Sequence, residues 1–468
     1  MSKARRVLKN LFSLTLAEVA TKGITFFSTA YLARIVLTEG FGQIGFVNAY
    51  VTYFTMIVSL GLHTVGTREI AIKVSMLRKY VNSILTFKIV VASVLFFVVF
   101  ASTFLLDRDM EIKVLIWIAS FNLFSNAIML DWVYRGLEKM EILAIRQIAT
   151  SALNLGGVLI FVHSPDDIML AVIVQSSALM LNAIWMLLHY IKNFGKIKWD
   201  FELPFIKKLL ASALPVGFSD FFILILSSIN LVMLGIMRTD QETGIFNAAL
   251  KILILSVVPS AIIQGAFFPL LSRMITKEEK IRISEKYISL IQMTGSIVSA
   301  TIFVFAEFII VFVFSDTYIE AVPVLRLLMI SSFFAYISSS YNPALIAWKK
   351  EKKAMYAIIA GGITSIISNY LLIPEFGPTG AAYASILSEF TIVIILLFYF
   401  KRETGKLFLT KTLRALVYVI PSVGVGYLAS QNGLHTILAM LLSLLLFVGF
   451  NLIFKTFTIA EIKTYIKK

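Results

Sequence analysis

The sequence predicts an all-α integral membrane protein with about 14 transmembrane helices. Two observations carry this. The chain is 59% hydrophobic and 15% charged, with mean hydropathy +0.88; soluble domains run about 45–50% apolar and about 25% charged. Apolar stretches of spanning length, about 18 residues or more, recur from end to end without an extended soluble segment between them. We place the spans near 11–36, 45–66, 83–106, 114–134, 144–162, 168–191, 213–237, 245–271, 288–314, 322–347, 354–373, 379–400, 413–430 and 434–454.

A third observation orients them. The net charge is +15, which in a soluble chain would suggest nucleic acid. Here 34 of the 42 Lys and Arg fall in the termini and in the loops after even-numbered spans. The opposite loops hold three, Arg108, Lys113 and Arg238, and five lie inside spans. This asymmetry follows the positive-inside rule and places both termini in the cytoplasm. It excludes nucleic acid as the expected partner and points instead to anionic membrane lipids.

The N-terminal helix is expected to be retained. Ser28 and Ala30 offer a small-x-small site, but Glu18 and Lys22 interrupt the apolar run and the helix continues to Leu37. With no cysteine, there is no disulfide framework and no thiol chemistry. The histidines, His63, His163, His189 and His435, lie apart and form no metal spacing. No phosphate-cradling Gly-rich loop is present either. The outer loops are too short for a polymerase or ligase, so no enzymatic activity is expected.

The longest inner loop, 192–212, contains Pro204 and sits near mid-chain. We read 1–191 as an N-lobe of spans 1–6, 192–212 as a cytoplasmic linker, 213–400 as a C-lobe of spans 7–12, and 401–468 as spans 13–14 with a cytoplasmic tail. Gly45, Asn48 and Ala49 match Gly244, Asn247 and Ala248 at an offset of 199. Six spans separate the copies, so the repeat is parallel.

Ionisable residues inside spans are the main functional lead, because hydrocarbon tolerates them only beside a cavity or a partner. The basic ones are Lys22, Arg34, Lys88, Lys251 and Arg326; the acidic ones are Glu18, Asp131, Asp220, Glu307 and Glu389. Arg34, Arg326 and Asp131 lie near span ends and can snorkel. Glu18 and Lys22 are one helical turn apart and can neutralise each other. Lys251 sits about two turns inside its span with no acid at three or four residues, which makes it the sharpest candidate. The amides Asn48, Asn230, Asn247 and Gln264 either glue helices together or contact a polar cargo. Tyr50 and Tyr53 either pack or line a path. Pro215, Gly217, Pro259, Gly265 and Pro421 interrupt long helices, as bends at a transport site or as packed kinks.

The segments ARIVLTEGFGQIGFVNAYVTYF (33–54), GLHTVGTREIA (61–71), ALPVGFSDFF (213–222), MLGIMRTDQETGIFNAALKI (233–252), FFPLLSRM (267–274) and NYLLIPEFGPTGAAYASILSE (369–389) carry a resemblance. Together they resemble the polysaccharide-repeat flippases, or O-antigen transporters, of the multidrug/oligosaccharidyl-lipid/polysaccharide exporter superfamily. The resemblance implies two six-helix lobes around a central cavity lined by spans 1, 2, 7 and 8, with spans 13–14 as an added pair. It implies a flippase of the cytoplasmic (inner) membrane in surface polysaccharide or lipopolysaccharide assembly. The cargo would be an isoprenoid-pyrophosphate-linked oligosaccharide, moved to the outer leaflet by alternating access, with other polysaccharide-assembly proteins as possible partners. Lys22, Lys251 and Arg34 would meet the pyrophosphate; Asn48, Asn247 and Tyr53 would meet the sugars. Members of the family often carry an acid where this chain has Asn230, so Asp220 or Asn230 marks the coupling position, with H+ or Na+ as the ion and no other cofactor or metal expected. A drug or cation exporter of the same superfamily and a membrane glycosyltransferase or ligase are the other readings.

Overall fold

The computed structural model describes residues 3–454. Residues 1–2 and the tail expected over 455–468 lie outside the described residues. All described elements are helical, and no strand occurs among the described residues. The chain packs as two compact units, residues 1–244 and 245–468.

The first unit contains α1 (Lys3–Ser59), α2 (Leu62–Ile72), α3 (Leu77–Ser102), α4 (Met110–Ser120), α5 (Asn122–Ile128), α6 (Asp131–Gly136), α7 (Met140–Phe161), α8 (Ile168–Phe194) and α9 (Leu203–Met237). The boundary falls within α10 (Asp240–Ser256). The second unit continues with α11 (Val258–Ser272), α12 (Lys277–Val304), α13 (Ala306–Phe314), α14 (Ala321–Ala347), α15 (Glu351–Thr404), α16 (Leu409–Gln431) and α17 (Thr436–Ile453).

Eleven helical segments of the described residues are long and apolar enough to cross a membrane. Two of them, Ala20–Ile72 and Glu351–Thr404, run 53 and 54 residues, more than twice the roughly 20 residues a crossing needs. In each long segment two helices meet at a kink of non-helical backbone, at Leu37 (φ 57°) and at Gly377 (φ 54°). Each long segment therefore covers a pair of the expected spans. The stretch expected as span 13 is α16, whose residues Leu416–Gln431 are apolar. Gly377 is placed for the break: the residue before a proline, here Pro378, is pushed out of the α region, and glycine takes positive φ at no steric cost.

Helix ends obey their local sequence. Thr276 and Glu279 form a capping box at the start of α12. Gly405 at φ 74° closes α15 with a left-handed C-cap. In the loop before α8, Asp167 accepts from the backbone N–H of His163 and Ser164, both at 2.9 Å, which holds its carboxyl below the usual carboxylate range.

Glycines set the closest approaches. In hydrocarbon the hydrophobic effect does not drive helices together, so association relies on close backbone packing and polar contacts. A Cβ at Gly66 would lie 2.4 Å from the Trp132 ring, and Thr67 Oγ1 donates to the Trp132 carbonyl at 3.0 Å. The GLHTVGTREIA segment is thus a joint between α2 and α6, beside a core that includes Leu62, Tyr134 and Tyr190. In the second unit a Cβ at Gly295 would meet Tyr336 at 2.2 Å, and Tyr336 Oη donates to the Ser256 carbonyl at 2.6 Å. Ser388 Oγ ties the halves of α15 by donating to the Gly361 carbonyl at 2.8 Å. Val419, Val423 and Phe447 of α16 and α17 pack on Met293 and Ile297 of α12.

The tightest approach joins α1 to the chain between α9 and α10. A Cβ at Gly42 would lie 1.9 Å from the Asp240 carbonyl oxygen, and one at Gly244 would lie 1.8 Å from the Thr38 carbonyl oxygen. A Cβ at Gly424 on α16 would enter open space, with nothing outside its own turn within 4 Å. We expect Gly42→Ala to destabilise the detergent-purified protein by about 1–3 kcal/mol, the usual cost of overpacking. Gly424→Ala should leave it unchanged or slightly raised, since alanine is the better helix former. A thermal melt of both variants checks this; equal melts would show that backbone contact at Gly42 does not limit packing.

Candidate functional site

Within the first unit the candidate residues lie along α1, α2 and α9. Asp220, on α9, faces His63 of α2, with Oδ2 3.9 Å from Nε2. Tyr53 of α1 meets Phe221 edge to face, ring centroids 6.4 Å apart. Its hydroxyl is buried and makes no hydrogen bond among the described residues. Tyr53 and Asp220 therefore sit on one seam. Asn48 also joins two helices: its Nδ2 donates to Gln175 Oε1 of α8 at 2.9 Å. Lys22 reaches Glu18 at 3.6 Å, one turn away, and both side chains are well exposed. Arg34 is exposed and Asn230 is buried.

Lys88 has a structural task. It is 4% exposed, and its Nζ donates to the Asn126 carbonyl at 2.6 Å. Asn126 lies in the last turn of α5, which stops at Ile128 before α6 begins at Asp131. The last four carbonyls of any helix lack helical partners. An ammonium there satisfies one of them and complements the negative end of the helix dipole. Ser59 Oγ donates to Asn126 Oδ1 at 2.9 Å, so the same residue also holds the end of α1. Asp131 pairs with Arg146 Nε at 2.9 Å.

A group that the sequence reading missed gathers beside Gly42. Arg108 pairs with Asp240, and each side chain is only 13% exposed. Gln43 Nε2 donates to Asp240 Oδ2 at 3.2 Å. The Arg108 guanidinium lies 5.4 Å from the Phe46 ring centroid. The three polar residues come from α1, the α3–α4 connection and the start of α10. One signal was present: Arg108 is one of only three basic residues on the charge-poor side.

At the other end of α1, Gly61 at φ 72° touches α9. Its Cβ would lie 2.4 Å from the Ala213 carbonyl oxygen, and a Cβ at Gly217 would lie 2.9 Å from the Leu60 carbonyl carbon. Nineteen residues separate Gly42 from Gly61; at 1.5 Å per residue that is about 28 Å, close to the thickness of bilayer hydrocarbon. The first unit is thus pinned at both ends of one crossing. Each pin has a polar group beside it, Arg108–Asp240–Gln43 at one and His63–Asp220 at the other.

In the second unit, Asn247 is buried and Lys251, one turn further along α10, is half-buried. Lys251 forms no hydrogen bond or ion pair among the described residues. No group of three His, Asp or Glu able to hold a metal occurs among the described residues.

Long broken helices, isolated intramembrane charges and glycine-set approaches are features of a multi-pass membrane protein. The polysaccharide biosynthesis protein family matches residues 7–275, more than half of the chain. This chain belongs to that family. It is 25% identical over 402 residues to a protein of Escherichia coli (strain K12) named "Putative O-antigen transporter", covering 84% of this chain and 97% of that one. A protein of the same name from Shigella dysenteriae is 26% identical over 401 residues, covering 83% and 98%. Among solved structures, the fold is shared with the lipid II flippase MurJ in its inward closed conformation, at TM-score 0.77 and 14% identity, over 94% of this chain and 98% of that one. An inward-facing MATE family multidrug resistance transporter of the MOP superfamily matches at TM-score 0.63 and 14% identity, over 82% and 94%. The fold is one that these transporters share.

Lys88 and Lys251 make opposite expectations. Lys88→Met leaves a buried carbonyl unsatisfied and should cost about 1–3 kcal/mol. Lys251→Met removes a charge that has no partner among the described residues and should leave the melt of purified protein unchanged or raised. Thermal unfolding in detergent measures both; a larger loss at Lys251 would show that its ammonium supports the fold.

Proposed function

We propose that this protein is a flippase that moves an isoprenoid-pyrophosphate-linked oligosaccharide from the inner to the outer leaflet of the cytoplasmic membrane. The observation that carries this reading is Lys251: a half-buried ammonium in a membrane helix, unpartnered among the described residues. Such a charge is costly unless an anion or a wet cavity meets it. A pyrophosphate supplies the anion. The relatives named as O-antigen transporters and the fold shared with a lipid II flippase support this cargo class.

In this reading Lys22 and Arg34 assist Lys251 at the pyrophosphate, and Asn48, Asn247 and Tyr53 contact the sugars. Asp220, beside His63, is the coupling position, for H+ or Na+; Asn230 stands where an acid is common in the family. Lobes 1–191 and 213–400 alternate in access about the linker 192–212, and the helices of 401–468 stand beside them. Both termini are cytoplasmic, fourteen crossings are made, and other polysaccharide-assembly proteins act around the carrier.

Export tests the cargo. Lys251→Glu should abolish surface polysaccharide at normal protein level. Lys251→Arg should keep part of it, because charge is retained while donor geometry changes. Full export by Lys251→Ala would remove this residue from the site and with it the main support for the reading.

Orientation is tested separately. Reporter fusions after Lys198 and Lys353 should report the cytoplasm, and fusions at Asp109 and Gln431 the outside. Reversed signals at two or more sites would overturn the topology.

A further inference from the structure

A cavity of about 560 Å³ lies wholly within the second unit, between α13, α14, α16 and the start of α17. None of the candidate transport residues lines it. Its walls carry three charged side chains, Glu307, Asp316 and Arg326. None of the three forms an ion pair or a side-chain hydrogen bond among the described residues.

Depth makes this unusual. The turn at 315–320 joins α13 to α14. Glu307 stands seven residues before the end of α13, about 10 Å along the helix, and Arg326 stands five residues into α14, about 8 Å. Both charges therefore lie one to two turns below the same turn. Tyr427, which meets Phe305 at 6.5 Å, stands four residues before the end of α16. Asp316 is higher, in the turn itself, and Ser430, Gln431 and Thr436 close the rim.

Glu307 and Asp316 are exposed and Arg326 is half-buried; charges one to two turns inside a spanning helix are costly without a partner. The cheapest remedy would be for Glu307 and Arg326 to pair with each other, yet no ion pair joins them. A guest with both signs of charge, seated between them, satisfies both at once. One wall is apolar: Phe308 and Phe312 stack at 5.5 Å and 15°, and Phe312 is exposed. Aromatic side chains in such positions suit the boundary between headgroups and acyl chains.

We propose that this cavity binds the headgroup of a zwitterionic, amine-bearing phospholipid of the ethanolamine type. The ammonium meets Glu307 and Asp316, the phosphate meets Arg326, and the acyl chains run along Phe308 and Phe312. Two acids against one base favour a guest with an ammonium over a purely anionic one.

Native mass spectrometry of the full chain in detergent tests this, with ethanolamine phospholipid, anionic glycerol phospholipid and a neutral diglucosyl lipid added in turn. We expect the ethanolamine lipid to be retained preferentially. Glu307→Gln and Arg326→Gln should each weaken it about tenfold. Glu307→Lys should invert the preference toward the glycerol phospholipid, an outcome that mere loss of folding cannot produce. Soluble phosphoethanolamine at matched concentration should not displace the lipid, since it lacks the chains. Preference for the glucosyl lipid would make this a sugar site and overturn the assignment. Equal binding of all three lipids, displacement by phosphoethanolamine, or variants that bind as the parent does would also overturn it.

Discussion

Two contacts made without side chains hold the first unit in shape. Gly42 and Gly244 bring α1 against the start of α10, and Gly61 and Gly217 bring the end of α1 against α9. At each point a single Cβ would overlap backbone atoms. Water does not drive helices together inside a bilayer, so contact distance decides how much dispersion and hydrogen bonding a helix pair can gain. The rest follows from that approach. Phe46 can press on Gly235, Tyr53 can meet Phe221, and Gln43 can reach Asp240 only because the backbones are already close.

The second constraint is that no backbone polar group can be left unpaired in hydrocarbon. The chain nevertheless breaks its helices at Leu37, at Gly377 and between α5 and α6. The last break shows how the loss is repaired. Lys88 comes from a different helix and caps the freed Asn126 carbonyl, while Ser59 takes the side chain of the same residue. An intramembrane charge can thus be an architectural part. The contrast with Lys251 rests on partners: one lysine has a carbonyl within reach, and the other has no partner among the described residues.

Class and crossing segments were legible in the sequence because hydropathy reports burial in lipid directly. Family membership was legible in short Gly-rich pieces, and the structure gives the reason for one of them. GLHTVGTREIA matters as a joint, since Gly61 sits at positive φ and Gly66 admits Trp132. The Glu18–Lys22 pair was legible because four residues make one turn. The Arg108–Asp240–Gln43 group was not. Its members stand 132 and 197 residues apart, and nothing local couples a loop arginine to a distant aspartate. The task of Lys88 was not legible either, because a sequence shows where a charge lies but not which carbonyl has been released nearby. Leu37 and Gly377 are kinks at which two helices meet, so each long segment covers the two spans that hydropathy marks.

The polar groups beside the two glycine contacts differ in burial, and this bears on what they can do in a transporter. Arg108 and Asp240 are each 13% exposed, whereas His63 and Asp220 are 51% and 33% exposed. A buried ion pair looks like a strong lock, but its attraction is largely offset by the cost of taking two charges out of water. Separating the helices at that end would return both charges to water, so parting costs far less than the Coulomb attraction alone suggests. The pair therefore fixes register more than it stores energy, and the glycine contact fixes distance. That balance suits the alternating-access cycle proposed above. A cargo can shift such an equilibrium only by its differential affinity for the two states, and turning a 1:99 population into 99:1 takes about 5.5 kcal/mol. Ends held by geometry and by nearly cancelling electrostatics stay within reach of that much binding energy.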